Sequence, residues 1–312
     1  MIGRIVEVAD DKRHLFMSRG FLVVQQSDGE RKELGQIPLD DIAAVIANAH
    51  GLSYTNNLLV ALAERCAPFV VCASNHNVVG MLIPVEGNYL QAKRFDAQIA
   101  ASKPTNKRLW AEIVRAKLQQ QAAALEATGA PAVPLSALIR KVRSGDPENV
   151  EAQGARRYWG LLFGEKFRRD QQAGGVNGML NYGYTVLRAA TARATVAAGL
   201  HPTLGLFHKN EGNPMRLVDD LMEPFRPLID LRVLQFSKAG QSEVTPDVKR
   251  GLVRILYDDM QSSIGATPVM GCIHRLAVSL VQVYLGERET LDLPLPGLPL
   301  DLAASSMEDS LR

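Results

Sequence analysis

Two hydrophobic periods divide the chain. Over the first 85 or so residues, apolar positions come in short runs rich in β-branched side chains: RIVEVA from Arg4, HLFMS from His14, FLVVQQ from Phe21, AAVIAN from Ala43 and PFVVCA from Pro68. Such runs predict strands. Asp28-Gly29 supplies a hairpin turn signal after the third run. TNNLLVALAERC, from Thr55, has helical spacing instead, and residues 78–83 read as a strand closing the sheet. Pro84 and Gly87 then mark a change of pattern.

From Pro104 onward the period is helical. Pro104 suits a first helical position and Gly129 a stop. A second, short helix places Leu135, Leu138, Ile139 and Val142 on one side. Asp146-Pro147-Glu148 predicts the start of a third helix, which runs on through Arg169. A fourth runs from about Leu180 to Gly199, a fifth opens at Asn213-Pro214, and Thr267-Pro268 opens a last apolar helix ending at Tyr284. The predicted fold class is α+β. A small β-rich domain (residues 1–86) and a linker (87–103) precede a larger all-α domain (104–290) and an irregular tail (291–312).

Composition narrows the setting. With 46% hydrophobic and 22% charged residues, the 312-residue chain has the make-up of a soluble globular protein. No apolar run approaches the roughly 20 residues of a membrane span, and the N-terminus lacks a signal-peptide pattern. Cys66, Cys72 and Cys272 are an odd number without a CxxC pair, so a reducing, cytoplasmic location is expected. Net charge is only +2 but uneven, with 15 Lys and Arg against 7 Asp and Glu between Lys103 and Gly199. Arg140-Lys141-Val142-Arg143, Arg156-Arg157 and Lys166-Phe167-Arg168-Arg169 concentrate it. Such a stripe matches a nucleic-acid binder and also an ordinary solvated helical surface.

Candidate chemistry lies in three places. On a helix begun at Pro147, Glu151, Ala155, Tyr158 and Leu162 form one stripe headed by a carboxylate. Such a group either meets a cation or stays solvated near the helix start. Asn181, Tyr184 and Arg188 share a face suited to phosphate and sugar contacts, or to a buried hydrogen-bond network. In HKNEGNPMRLVDDLMEPF, His208 precedes a helical stretch bearing Asp219, Asp220 and Glu223. Asp220 and Glu223, at i and i+3, face the same way, but Asp219 is also one turn from Glu223, so spacing does not choose between the aspartates. One imidazole with carboxylates makes a hard site for Mg²⁺ or Mn²⁺. No phosphate loop, dinucleotide fingerprint or serine-nucleophile elbow is present, which argues against those enzyme classes.

The order of DPENVEAQGARRYW, NGMLNYGYTVLRAA and AGLHPTLGLFHKNEGNPMRLVDDLMEPFRP behind a β-rich start resembles the CRISPR-associated spacer-acquisition integrases, the first of the Cas proteins. The likeness runs from residue 1 to about 290 and is strongest to variants of type II systems. It implies a metal site of Glu151, of His208 in a Gly-x-x-His motif begun by Gly205, and of Glu223 with Asp220; Glu223 stands where relatives can have aspartate. The implied catalytic residues are Glu151, His208 and Glu223. The implied activity is metal-dependent cleavage of DNA and joining of 3′-hydroxyl ends of short DNA fragments to a CRISPR repeat. Double-stranded DNA, a second copy of the chain through the β-rich domain, and a small ferredoxin-like second Cas protein are the implied partners. Asn181, Tyr184, Arg188, Arg156, Arg157, Arg168 and Arg169 would meet nucleic acid. Without the resemblance, the same residues also describe a non-catalytic DNA-binding scaffold or a metal-dependent hydrolase of small phosphoesters.

Overall fold

The computed structural model describes residues 3–29, 31–73 and 78–297. The strands of the first part make two four-stranded sheets where a single sheet was expected. They are β1 (Arg4–Val8), β2 (Arg13–Ser18), β3 (Phe21–Gln26), β4 (Glu33–Pro38), β5 (Ile42–Ala47), β6 (Leu52–Tyr54), β7 (Phe69–Cys72) and β8 (Val78–Leu82), with α1 (Asn56–Glu64) between β6 and β7. One sheet has the order β1-β5-β7-β8, the other β4-β3-β2-β6. β5 lies parallel to both β1 and β7, and β8 closes that sheet antiparallel.

The sequence IAAVIA of β5 is buried at every position because both faces of its sheet are covered. Ala43, Ala44 and Ile46 join the main core with the helices, while Ile42, Val45 and Ala47 face a second core shared with Leu15, Leu22, Leu58 and Leu62. The boundary expected at residue 86 is therefore a change of secondary structure with continuous packing across it.

The remaining chain forms α2 (Gln91–Ala100), inside the expected linker, then α3 (Lys103–Ala127), α4 (Val133–Ile139), α5 (Val150–Phe163), α6 (Val176–Ala197), α7 (Arg216–Met222), α8 (Arg226–Lys238) and α9 (Pro246–Arg254). A hairpin of β9 (Asp259–Ser262) and β10 (Gly265–Pro268) precedes α10 (Val269–Tyr284), so this part is mostly helical rather than all-α. The third helix stops at Phe163, short of Arg169, because Gly164 turns to a φ of 95°. It begins at Val150, later than Pro147, since Asn149 is left-handed. Asp146 nonetheless caps it, its carboxylate accepting from Val150 N at 2.8 Å and Glu151 N at 2.9 Å. α6 starts before Leu180, and α7 and α10 start just after their expected proline signals.

His76 and the tail beyond residue 297 lie outside the described residues. The described start of the tail has no regular structure but is packed: Leu291 and Asp292 are buried, and Asp292 pairs with Arg275. No helix among the described residues is long and apolar enough to cross a membrane. Cys66, Cys72 and Cys272 are all free thiols.

Candidate metal and nucleic-acid site

Three helices and one loop meet where the acidic residues lie. α5 presents Glu151 in its first turn. α7 runs into a 3₁₀ turn, Glu223–Phe225, that delivers Glu223. The loop after α6 carries His208, and α3 passes behind them all.

Asp220 is completely buried, and its carboxylate is occupied. Oδ2 accepts from Leu206 N at 2.6 Å and Phe207 N at 3.1 Å, while Oδ1 lies 2.5 Å from His208 Nδ1. A carboxylate accepts, so Nδ1 donates to it, and in the neutral ring Nε2 carries the lone pair. Asp220 thus orients the imidazole. That hydrogen bond is the leading reason His208 holds a proton more tightly than an ordinary histidine, ahead of burial, which opposes it. Gly205 makes the arrangement feasible: a Cβ there would stand 2.9 Å from Asp220 Oδ2 and 2.9 Å from Arg216 Cβ. This is the physical content of the Gly-x-x-His spacing.

Behind the histidine, Trp110 of α3 stacks on Phe207 with centroids 4.4 Å apart and rings nearly parallel, and meets His208 edge-on at 5.8 Å. The ring is therefore held by a carboxylate on one side and an indole on another.

Glu151 and Glu223 are linked through a residue that carries no signal in its sequence context. Lys117 of α3 donates to Glu151, and its ammonium lies 2.5 Å from Glu223 Oε2. The side chains are 9% (Lys117), 24% (Glu151) and 7% (Glu223) exposed. Glu223 Oε1 also meets Arg226 Nε at 2.8 Å. Burial works against the Glu223 charge, but Arg226 and then Lys117 outweigh it and hold the carboxyl down at about 2. Burial likewise opposes the Lys117 charge, and Glu223 and Glu151 outweigh it, so the ammonium stays protonated. Among the described residues, no three His, Cys, Asp or Glu side chains already close around one point.

The donor set nevertheless suits a hard divalent ion: two carboxylates, plus an imidazole nitrogen whose partner nitrogen is committed. Glu223 Oε2 is buried and faces the Lys117 ammonium. Glu151, Glu223 and His208 could hold such an ion, with Asp220 fixing the imidazole.

A cleft of about 750 Å³ opens beside His208. Arg169, Asn181, Tyr184, Arg188, Arg226 and strand β8 line it, so the face read from Asn181, Tyr184 and Arg188 does front the site. These groups are tethered. Asn181 accepts from Arg169 at 2.6 Å, and Arg188 pairs with Asp219 at 2.8 Å. Tyr184 donates to the buried Asp230 while Arg226 lies 4.6 Å over its ring. Asp219, the aspartate that spacing could not separate from Asp220, is thus engaged with the cleft arginine. Arg156, Arg157 and Arg168 lie on the exposed surface, away from the cleft lining, as do Arg140, Lys141 and Arg143.

Sequence reasoning missed Lys117, Trp110 and Asp230. It quoted Arg226 only as a motif letter, although its i+3 spacing from Glu223 was an ion-pair signal.

Comparison with known proteins places this geometry in a family. The family model for CRISPR associated protein Cas1 matches residues 6–251. The CRISPR-associated endonuclease Cas1 of Neisseria meningitidis serogroup C is 38% identical over 291 residues, covering 92% of this chain and 94% of that protein. Among solved structures, a casposase bound to integration product superposes with a TM-score of 0.80 at 19% identity, covering 98% of this chain and 99% of the other. A chain of a Cas6-RT-Cas1–Cas2 complex gives 0.74 at 17% identity, over 95% of this chain and 36% of that one. With a family model spanning most of its length and a relative 38% identical over nearly all of it, this chain belongs to the Cas1 family of CRISPR-associated proteins.

Proposed function

We propose that the protein is a metal-dependent DNA integrase and endonuclease of CRISPR adaptation, joining 3′-hydroxyl ends of short DNA fragments into the repeat array in the cytoplasm. The observation that carries this reading is the Asp220-oriented His208 in the lining of an arginine-bearing cleft, with Glu223 paired to the cleft residue Arg226 and joined to Glu151 through Lys117. The name of the Neisseria relative and the integration product held by the casposase support it.

Glu151, Glu223 and His208 Nε2 would hold Mg²⁺ or Mn²⁺, which when bound neutralises phosphate charge and lowers the barrier to in-line attack by an oxygen nucleophile. Arg169, Arg188 and Arg226 offer cationic donors to phosphates in the cleft. Tyr184, fixed by Asp230 and Arg226, presents a ring face beside them. The exposed basic residues Arg156, Arg157 and Arg168 would neutralise DNA phosphates further out, making binding salt-sensitive and largely independent of sequence. The protein would act as a homodimer through its β-rich part, with the small ferredoxin-like Cas2 as partner; a Cas1–Cas2 complex among the structural neighbours supports this assembly.

A non-catalytic scaffold fits less well. In that reading the acids are caps and solvated charge, whereas Asp146 does the capping and Glu223 is buried. Purified protein with Mn²⁺ and its small partner is expected to join short duplex DNA to a repeat-bearing plasmid. Glu151→Ala and His208→Ala are each expected to abolish joining while DNA binding persists. Unchanged joining by both variants would remove this site from the reaction. Turnover of a small phosphoester that ignored salt would instead favour a hydrolase.

A further inference from the structure

A lysine ammonium between two acids proposed to hold a dication is a conflict, because ion and ammonium seek the same oxygens. Lys117 contacts both Glu151 and Glu223, and Arg226 already meets the second oxygen of Glu223. With both cations in place the two glutamates are neutralised, and Asp220 is committed to His208 and the loop amides. Little uncompensated negative charge then remains to draw in a divalent ion.

We propose that Lys117 is a resident counter-cation: it holds Glu151 and Glu223 together, competes with the divalent ion for them, and leaves when a phosphate arrives. The inference rests on the metal reading above and adds a device to it. Three observations carry it. The ammonium bridges carboxylates from two separate elements, α5 and the turn after α7, so it spaces the pair. Its backbone sits in a 25-residue helix whose neighbouring Ala116 and Leu118 are buried, so the helix stays while the four-carbon stem moves. The arginine-lined cleft reaches the cluster through Arg226, which pairs with Glu223, so a phosphate bound there adds negative charge next to the cations that neutralise that carboxylate. Metal and DNA binding are then coupled, each favouring the other, as linkage requires.

The test is Mn²⁺ titration of the full-length protein, followed by calorimetry or by the electron paramagnetic resonance of free ion, with and without short duplex DNA. Without DNA, Lys117→Met and Lys117→Gln are expected to bind Mn²⁺ about tenfold tighter than wild type, from removal of a neighbouring positive charge. DNA should tighten Mn²⁺ binding in wild type and much less in the two variants. Lys117→Arg should restore the weak binding, and the surface control Lys238→Met should match wild type. A lysine that merely supports the fold would give the opposite sign, with looser carboxylates and weaker Mn²⁺ binding. Unchanged or weaker binding by both neutral variants, with circular dichroism confirming that they are folded, would overturn the proposal. Failure of wild type and variants alike to bind Mn²⁺, with or without DNA, would overturn the metal reading itself, and this inference with it.

Discussion

Asp230 and Glu223 are both buried acids within reach of Arg226, yet their protons behave in opposite ways. Burial pushes the Asp230 carboxyl up to about 7, although Tyr184 and Arg226 pull it down. Glu223 sits at about 2, because Arg226 and Lys117 overcome the same desolvation. The linkage signs follow. In the fold Asp230 keeps a proton that the unfolded chain gives up near pH 4. Its contribution therefore favours the fold at low pH and declines as pH rises toward about 7. Glu223 stabilises above the ordinary carboxylate range, and that contribution is lost as pH falls toward about 2. Asp230→Asn should accordingly flatten the stability profile between roughly pH 4 and 7; urea midpoints of variant and wild type at pH 5 and pH 8 measure it. An identical pH dependence would place the Asp230 proton elsewhere. None of this was legible beforehand. In RPLIDLRVLQFSK an aspartate among arginines reads as surface charge, and only the fold reveals it as 1% exposed.

At the scale of elements, α3 organises the site. Trp110 and Lys117 lie two turns apart on it, one behind His208 and the other between the glutamates. α5 is brought against it by a missing side chain: a Cβ on Gly154 would overlap Leu118 Cδ2. Gly154 is one turn beyond Glu151, so the close approach sets how far that carboxylate reaches. Gly154→Val should force the two helices apart, lower stability by about 1–3 kcal/mol, and reduce DNA joining along with it. Denaturant unfolding and the joining assay read the two effects, and a stable variant with full activity would show that helix spacing does not matter. That a helix opens close after Asp146 was readable, since a cap has a local chemical cause, although the first turn is displaced from Pro147 to Val150. α8 was not, because Pro227, Leu228, Ile229, Asp230, Leu231, Val233 and Leu234 are buried around the helix and no stripe marks a face. Lys117, in KLQQQAAALEA, looks like any solvated lysine; its role depends on two glutamates more than thirty and one hundred residues away.

Across the whole molecule, the β-rich and helical parts are joined by polar contacts as well as by a common core. Glu7 of β1 accepts from Asn48 at 2.7 Å and Tyr182 at 2.9 Å, and pairs with Lys249 at 2.8 Å. Tyr257 accepts from Ile5 N and donates to Gly3 O, occupying the outer edge of β1. Glu7→Ala would leave the Tyr182 hydroxyl and the Lys249 ammonium without that acceptor, at a cost of about 3–5 kcal/mol. Because the core is continuous, calorimetry should still record one unfolding transition for this variant, shifted to lower temperature; two separate transitions would mean independent domains. The α+β class and the order of its parts were legible because period-2 and period-3.6 patterns are local. The division into two sheets and the interdomain seam were not, since pairing and docking bring together residues far apart in sequence. Family motifs singled out His208 and both glutamates as candidates, while the contacts that orient them came from the fold.

The ring stack behind His208 also gives the molecule an optical property. The chain has two tryptophans, and Trp110 is the one whose indole touches the imidazole, stacked parallel to Phe207 and edge-on to His208. Trp159 lies elsewhere, among Tyr158, Phe163 and Phe167. A protonated imidazole quenches a neighbouring indole and a neutral one does so far less. With Trp159 replaced by phenylalanine, the remaining emission reports the charge on His208 directly, so the protein carries its own fluorophore against the histidine proposed to hold the ion.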